Sequence, residues 1–103
     1  MQRGEVWWAN LPGPIGRHPV VLLSRDEAYL VRSSVTVAEI TTTIRDIPVE
    51  VPLDISDGLS KKCVANLDSI ITIPKNLLES HITTLSPEKV EKINEAIKFA
   101  LDL

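Results

Sequence analysis

Apolar and polar residues alternate along most of this chain, and a helical spacing replaces that alternation only near the end. Glu5-Val6-Trp7-Trp8-Ala9-Asn10 predicts a short strand with Val6 and Trp8 on one face and Glu5, Trp7 and Ala9 on the other. Adjacent tryptophans on opposite faces require that one packs inward and that a loop or a second subunit covers the other. Leu11 to Gly16 holds two prolines and two glycines. That predicts a loop without regular pairing, placed to move over a site. The stretch Gly16 to Asp26 carries Val20-Val21-Leu22-Leu23 unbroken between Gly16-Arg17-His18-Pro19 and Ser24-Arg25-Asp26. An apolar run with such flanks predicts a strand buried on both faces. Its basic head would deliver Arg17 and His18 to the edge of a packed core.

Further along, Asp26 to Arg32 predicts a turn or two of helix capped by Asp26. Ser34 to Ile40 predicts a strand, followed by Thr41, Thr42 and Thr43. Val49 to Leu53 alternates, and Pro52 places it at a sheet edge, because proline cannot donate to a ladder. Ser56 to Ser60 predicts a turn. Lys62–Leu67 and Ser69–Ile73 predict two further strands, the second stopped by Pro74, and Asn76–His81 predicts one helical turn. The last helix is the best marked. Ser86 is its cap, Pro87 its first residue, and Val90, Ile93, Ile97 and Ala100 or Leu101 its apolar stripe. Five or six short strands with one closing helix predict a mainly β, α+β fold: a small β-barrel with a C-terminal helix.

Length narrows this to one domain, since 103 residues supply a single modest core. A partner subunit would help to stabilise it. Net charge of -3 gives no overall reason to expect nucleic acid, yet the charge is uneven. All five arginines lie in residues 1–45 and all six lysines in residues 46–103. Arginine's planar fork suits a local anion site, and chance placement is the alternative. Cys63 is the single cysteine, which excludes an internal disulfide and predicts a buried, inert thiol. There is no basic-then-apolar leader and no apolar run of membrane-spanning length, which predicts a soluble, cytoplasmic protein with no membrane partner.

Candidate chemistry is thereby limited. His18 and His81 lie too far apart for a zinc motif with Cys63, and the acids form no calcium loop, so no metal site is expected. No phosphate-cradling Gly-x-x-x-x-Gly-Lys loop is present, and His18, Ser24 and Asp26 lack the nucleophile elbow of a hydrolase. Arg17, His18 and the threonine cluster remain. These residue types suit cleavage of RNA, whose 2′-hydroxyl needs a base and whose phosphorane needs a cation or hydrogen-bond donors. The plain alternatives are a charged strand end and the β-propensity of threonine.

Several segments, in order, resemble the MazF/PemK family of toxin–antitoxin ribonucleases. They are Arg3-Gly4-Glu5-Val6-Trp7, His18 to Asp26, Val37 to Ile44, Ile47 to Val51, Cys63 to Ile70 and Leu85 to Lys89. The resemblance implies an SH3-like small β-barrel of the PemK/CcdB-toxin type and a homodimer. It implies an endoribonuclease that cuts single-stranded RNA without a metal or other cofactor, leaving a 2′,3′-cyclic phosphate and a 5′-hydroxyl. It also implies a cognate antitoxin protein seated in the substrate groove. The family's catalytic arginine stands just before its Pro-Val strand and its threonine after the next long strand. Thr41 matches the threonine. The residue before Pro19 is His18, and Arg17 lies one position earlier. A one-residue shift in a regular strand reverses the face, so Arg17 and His18 would not share the arginine's place. Either Arg17 reaches it from an irregular strand start, or His18 does acid–base work while Arg17 binds phosphate, or the enzyme is weakened. The implied RNA-contacting residues are Pro14, Ile15, Ser24, Thr42, Asp68 and Ser69. A non-enzymatic, protein-binding toxin on the same barrel, like the gyrase poisons, is the alternative from another class.

Overall fold

A computed structural model describes all residues from Met1 to Leu103. Six antiparallel strands form one sheet in the order β4-β5-β3-β2-β1-β6. They are β1 (Glu5–Leu11), β2 (Gly16–Leu22), β3 (Ser34–Thr41), β4 (Glu50–Leu53), β5 (Cys63–Pro74) and β6 (Leu78–Thr84). Two helices accompany them, α1 (Ala28–Val31) and α2 (Pro87–Leu101). The end strands β4 and β6 are not paired with each other. The architecture is therefore a half-barrel, mainly β with a closing helix as the patterning predicts.

Strand β2 is buried on both faces along its apolar run. Val20, Val21 and Leu22 are each fully buried. Val21 joins one core with Val6, Ala38, Ile40, Leu53 and Leu67, against which Ile93 and Ala96 of α2 pack. Val20 and Leu22 join a second core with Ala9, Val35, Val37, Tyr29 and Ile73. Alternation along β2 and β3 thus feeds two cores from one sheet. Each fully buried Leu, Ile or Val contributes about 1.5–3 kcal/mol.

Several expected boundaries change. The Leu11–Gly16 segment is a paired hairpin rather than an unpaired loop. Leu11 lies opposite Gly16, and a 3-10 turn at Gly13–Ile15 joins them. The two strands expected at Lys62–Leu67 and Ser69–Ile73 are one strand, β5. Glu39 faces Asn66 while Ala38 faces Ile70, so Leu67, Asp68 and Ser69 bulge out of the ladder. The helical turn expected at Asn76–His81 is a 3-10 turn at Lys75–Leu77 followed by β6. As an edge strand on an irregular register with β1, β6 shows no clean alternation. The short helix begins at Ala28, and Asp26 does not cap it. The Asp26 carboxylate instead accepts the backbone N–H of Arg3 at 2.7 Å. In α2, Ser86 caps by accepting from the N–H of Lys89, and Ala100 rather than Leu101 completes the buried stripe.

Side chains close what the ladder leaves open. Thr83 Oγ1 of β6 donates to the carbonyl of Asp57 at 3.1 Å. Lys89 Nζ of α2 donates to the carbonyl of Pro52 at 2.6 Å and lies 3.6 Å from the Asp57 carboxylate. Glu50, only 8% exposed, accepts backbone N–H bonds from Arg45 and Asp46. That carboxylate fixes the segment that follows the threonine cluster. No helix is long and apolar enough to cross a membrane.

Tyr29, the single tyrosine, reports on the second core. Burial pushes its hydroxyl up to about 12, against an ordinary value of 10. Ser24 lies near enough to offset part of that shift, yet the oxygen has no hydrogen-bond partner. A raised folded value means that stability is fully present below pH 10 and is lost as pH rises through about 12. Alkaline absorbance titration is expected to show late ionisation of Tyr29 in the folded protein and ordinary ionisation in urea.

Candidate active site

One cavity of about 210 Å³ collects Arg17, His18, Thr41 and Thr42. It opens where β2 and β3 part. Their ladder runs from Leu22–Val37 to Val20–Glu39 and stops there. The next residue, Pro19, has no N–H to donate. Beyond it, both faces of β2 meet the gap, so Arg17 and His18 reach one cavity despite their opposite faces in the strand.

Arg17 lies over the ring of Trp8, with its guanidinium carbon 4.1 Å from the ring centroid. Its Nε donates to Glu79 Oε1 at 2.8 Å. These two contacts hold the fork and leave its terminal nitrogens without a protein partner. Arg17 and Glu79 are both about half exposed, so their pairing acts on orientation more than on stability. His18 is about one third exposed. Its Nδ1 stands 3.4 Å from the carbonyl of Ile40 and 3.5 Å from Glu39 Oε1. Both neighbours accept, so Nδ1 is placed to donate to them, and Nε2 makes no hydrogen bond within the chain. Thr41 Oγ1 accepts the N–H of Thr43 at 3.1 Å, so its own proton is free to donate outward. Leu59, Ser60 and Lys61 line the cavity from the segment after β4. Arg17 and Lys61 are its charged lining residues, and no Asp or Glu lines it. In an acidic chain the cavity is locally cationic.

Residues 2–101 match the family described as PemK-like, MazF-like toxin of type II toxin–antitoxin system. The chain belongs to that family. Among its relatives, the "Probable endoribonuclease MazF5" of Mycobacterium tuberculosis is 39% identical over 101 residues, covering 97% of this chain and 92% of that protein. "Endoribonuclease EndoA" of Bacillus subtilis is 31% identical, covering 100% of this chain and 96% of that protein. A solved structure of a mycobacterial endoribonuclease in complex with its cognate antitoxin superposes with a TM-score of 0.89. It is 32% identical and covers 100% of this chain and 96% of that one.

The remaining candidates of this MazF-like chain lie elsewhere. Ile15 and Ser69 line a second, mostly apolar cavity of about 260 Å³ with Leu11, Pro12 and Ile70. Asp68 is exposed on the β5 bulge, and Pro14 is exposed in the hairpin turn. Ser24 lines a third, polar cleft, where its Oγ accepts the N–H of Thr36 at 2.9 Å. Cys63 is buried as expected, and burial pushes its thiol up. It also lines the Arg17 cavity, which its strand position alone does not show. Sequence reading missed Trp8 as a platform, Glu79 and Glu39 as anchors, and Lys61 as a second cation. Glu79 lies 62 residues from Arg17, and only the β1–β6 pairing brings it near.

Proposed function

We propose that this chain is the toxin of a type II toxin–antitoxin pair and an endoribonuclease that cleaves single-stranded RNA without a metal. The convergence of Arg17, His18 and Thr41 on one cationic cavity carries this reading. His18 Nε2 takes the proton of a ribose 2′-hydroxyl, whose oxygen then attacks the adjacent phosphorus. The terminal nitrogens of Arg17 and the hydroxyl of Thr41 stabilise the extra charge on the phosphorane. The P–O5′ bond breaks and leaves a 2′,3′-cyclic phosphate, while the departing oxygen takes a proton from solvent water to become a 5′-hydroxyl and His18 returns its proton to the resulting hydroxide. Glu39 and the Ile40 carbonyl act before the chemistry, by holding His18 in the tautomer that presents a basic Nε2.

The family and the mycobacterial complex support a cognate antitoxin as partner, and a homodimer in a cytoplasmic setting belongs to the same proposal. The apolar cavity between Ile15 and Ile70 is a fitting seat for a partner segment. Ile15 and Ile71 there are 45% and 41% exposed.

The decisive experiment is incubation of a long, weakly structured RNA with the purified chain in EDTA, followed by end mapping. Discrete cuts with 5′-hydroxyl ends are expected. A folded protein that cuts nothing at any concentration would overturn the enzyme reading and favour the protein-binding alternative.

A further inference from the structure

The uneven arginine distribution is only partly used by the cavity just described. Of the five arginines, Arg17 stands in that cavity and Arg3 donates from Nε to the carbonyl of Leu23 at 3.0 Å. Arg25 and Arg32 flank α1 and converge on a separate polar cleft of about 370 Å³. Neither has a carboxylate within ion-pair distance, although both are exposed and Asp26 and Glu27 follow Arg25 directly. Asp26 is turned to the backbone of Arg3. No acidic residue lines the cleft.

The rest of its wall is hydroxyl-bearing. Ser24, Ser34, Thr36 and Thr72 all line it. Ser24 Oγ is fixed by the N–H of Thr36, and the hydroxyls of Thr36 and Thr72 are 2.8 Å apart across the β3–β5 ladder. Two forked cations above a row of prepositioned hydroxyls match the oxygens of a phosphate group. A carboxylate ligand would use the arginines but leave most of the hydroxyls idle. An apolar ligand finds little there, since only Leu23 and Ala28 are apolar.

We propose that the Arg25–Arg32 cleft is a phosphate-binding subsite that holds a backbone phosphodiester of single-stranded RNA away from the bond being cut. This rests on the RNA reading of the Arg17 cavity. Thr36 in the cleft and Thr41 at the cavity stand five positions apart on β3, roughly 17 Å along a strand. The cleft therefore engages a different phosphate from the scissile one and contributes grip rather than chemistry. A longer RNA fills both sites, and a very short one fills only the catalytic cavity.

The test uses a 2′-O-methyl oligonucleotide, which binds but has no 2′-hydroxyl to react, and compares the unaltered chain with Arg25→Gln/Arg32→Gln. Affinity is measured from 50 to 200 mM salt. Losing two phosphate contacts on a single strand flattens the log–log salt slope by about 1.4. Across that range the unaltered chain is expected to lose about sevenfold more affinity than the variant. Inorganic phosphate and an acidic peptide serve as competitors. A slope unchanged by the double substitution overturns the subsite, and so does a variant that loses acidic-peptide binding while its affinity for the oligonucleotide stays the same. Cleavage of an unmodified RNA is scored separately. A changed slope without cleavage sustains the subsite and sinks the nuclease reading, whereas cleavage with an unchanged slope does the reverse.

Discussion

Replacing His18 with alanine is expected to slow RNA cleavage by about 10²–10⁴-fold, the range for loss of a positioned general base. The imidazole is held by its Nδ1 side against the Ile40 carbonyl and Glu39, at 3.4 and 3.5 Å. Of the other side chains lining the cavity, Cys63 is buried with its thiol pushed up, which leaves His18 as the imidazole placed to move a proton. Single-turnover rates as a function of pH provide the check. His18→Ala should lose the rate together with the pH dependence that a proton-transferring group imposes on it. Thr41→Ala should instead lower the rate at every pH, by about 10²–10³-fold, as removal of one charge-stabilising donor does. Retention of the full rate in His18→Ala would transfer the proton chemistry to Arg17 and return the site to the family's arginine pattern. Glu39→Gln should cost less than either, because it loosens the tautomer without removing the base.

The second large effect concerns the fold and, through it, the cavity wall. Gly58→Ala is expected to destabilise the chain by about 1.5–3.5 kcal/mol. Gly58 has a φ of 97°, a left-handed backbone that costs an L-residue about 1–2 kcal/mol. A Cβ at this position would also stand 2.6 Å from Cβ of Thr83 and nearer still to its hydroxyl. Thr83 must then move and release its hydrogen bond to the Asp57 carbonyl, a loss of about 0.5–1.5 kcal/mol. Thermal unfolding should fall by about 4–8 °C per kcal/mol for a domain of this size. Leu59, Ser60 and Lys61 follow Gly58 directly and line the cavity. RNA binding should therefore weaken together with stability, even under conditions where the variant remains folded. An unchanged melting temperature would show that the β6 contact does not hold the half-barrel closed.

Legibility of the site in the sequence varied with the range of the interactions involved. Arg17, His18 and Thr41 could be picked out because their residue types flank strongly patterned strands. Their meeting could not, because strand alternation placed Arg17 and His18 on opposite faces. Pro19 resolves this by ending the β2–β3 ladder and opening the gap into which both point. Its lack of an N–H was visible in the sequence, but which strand lay beside it was not. Ser24, Asp68 and Ser69 are implied RNA contacts, and the sheet sets Ser24 in one cleft and Ser69 in another, with Asp68 exposed on the β5 bulge. The β5 bulge is the reason for two of these. Three residues leave the ladder at Leu67 to Ser69, and nothing local announces an insertion that depends on the register of β3.

By itself the sequence determined the elements whose signal is local. The unbroken run from Val20 to Leu22 dictates a strand buried on both faces, since no single-sided sheet could cover it. Ser86 and Pro87 start the closing helix because cap and first-turn chemistry need only neighbours. The order of familiar segments determined the toxin family. Tertiary structure alone decided which side chains share a space: Arg17 on Trp8 with Glu79 behind it, His18 against Glu39, and Arg25 with Arg32 over the Thr36–Thr72 pair. Those groupings depend on strand order and register, which are set by how two cores pack on one curved sheet. That packing is a property of the whole chain, and no short window of residues contains it.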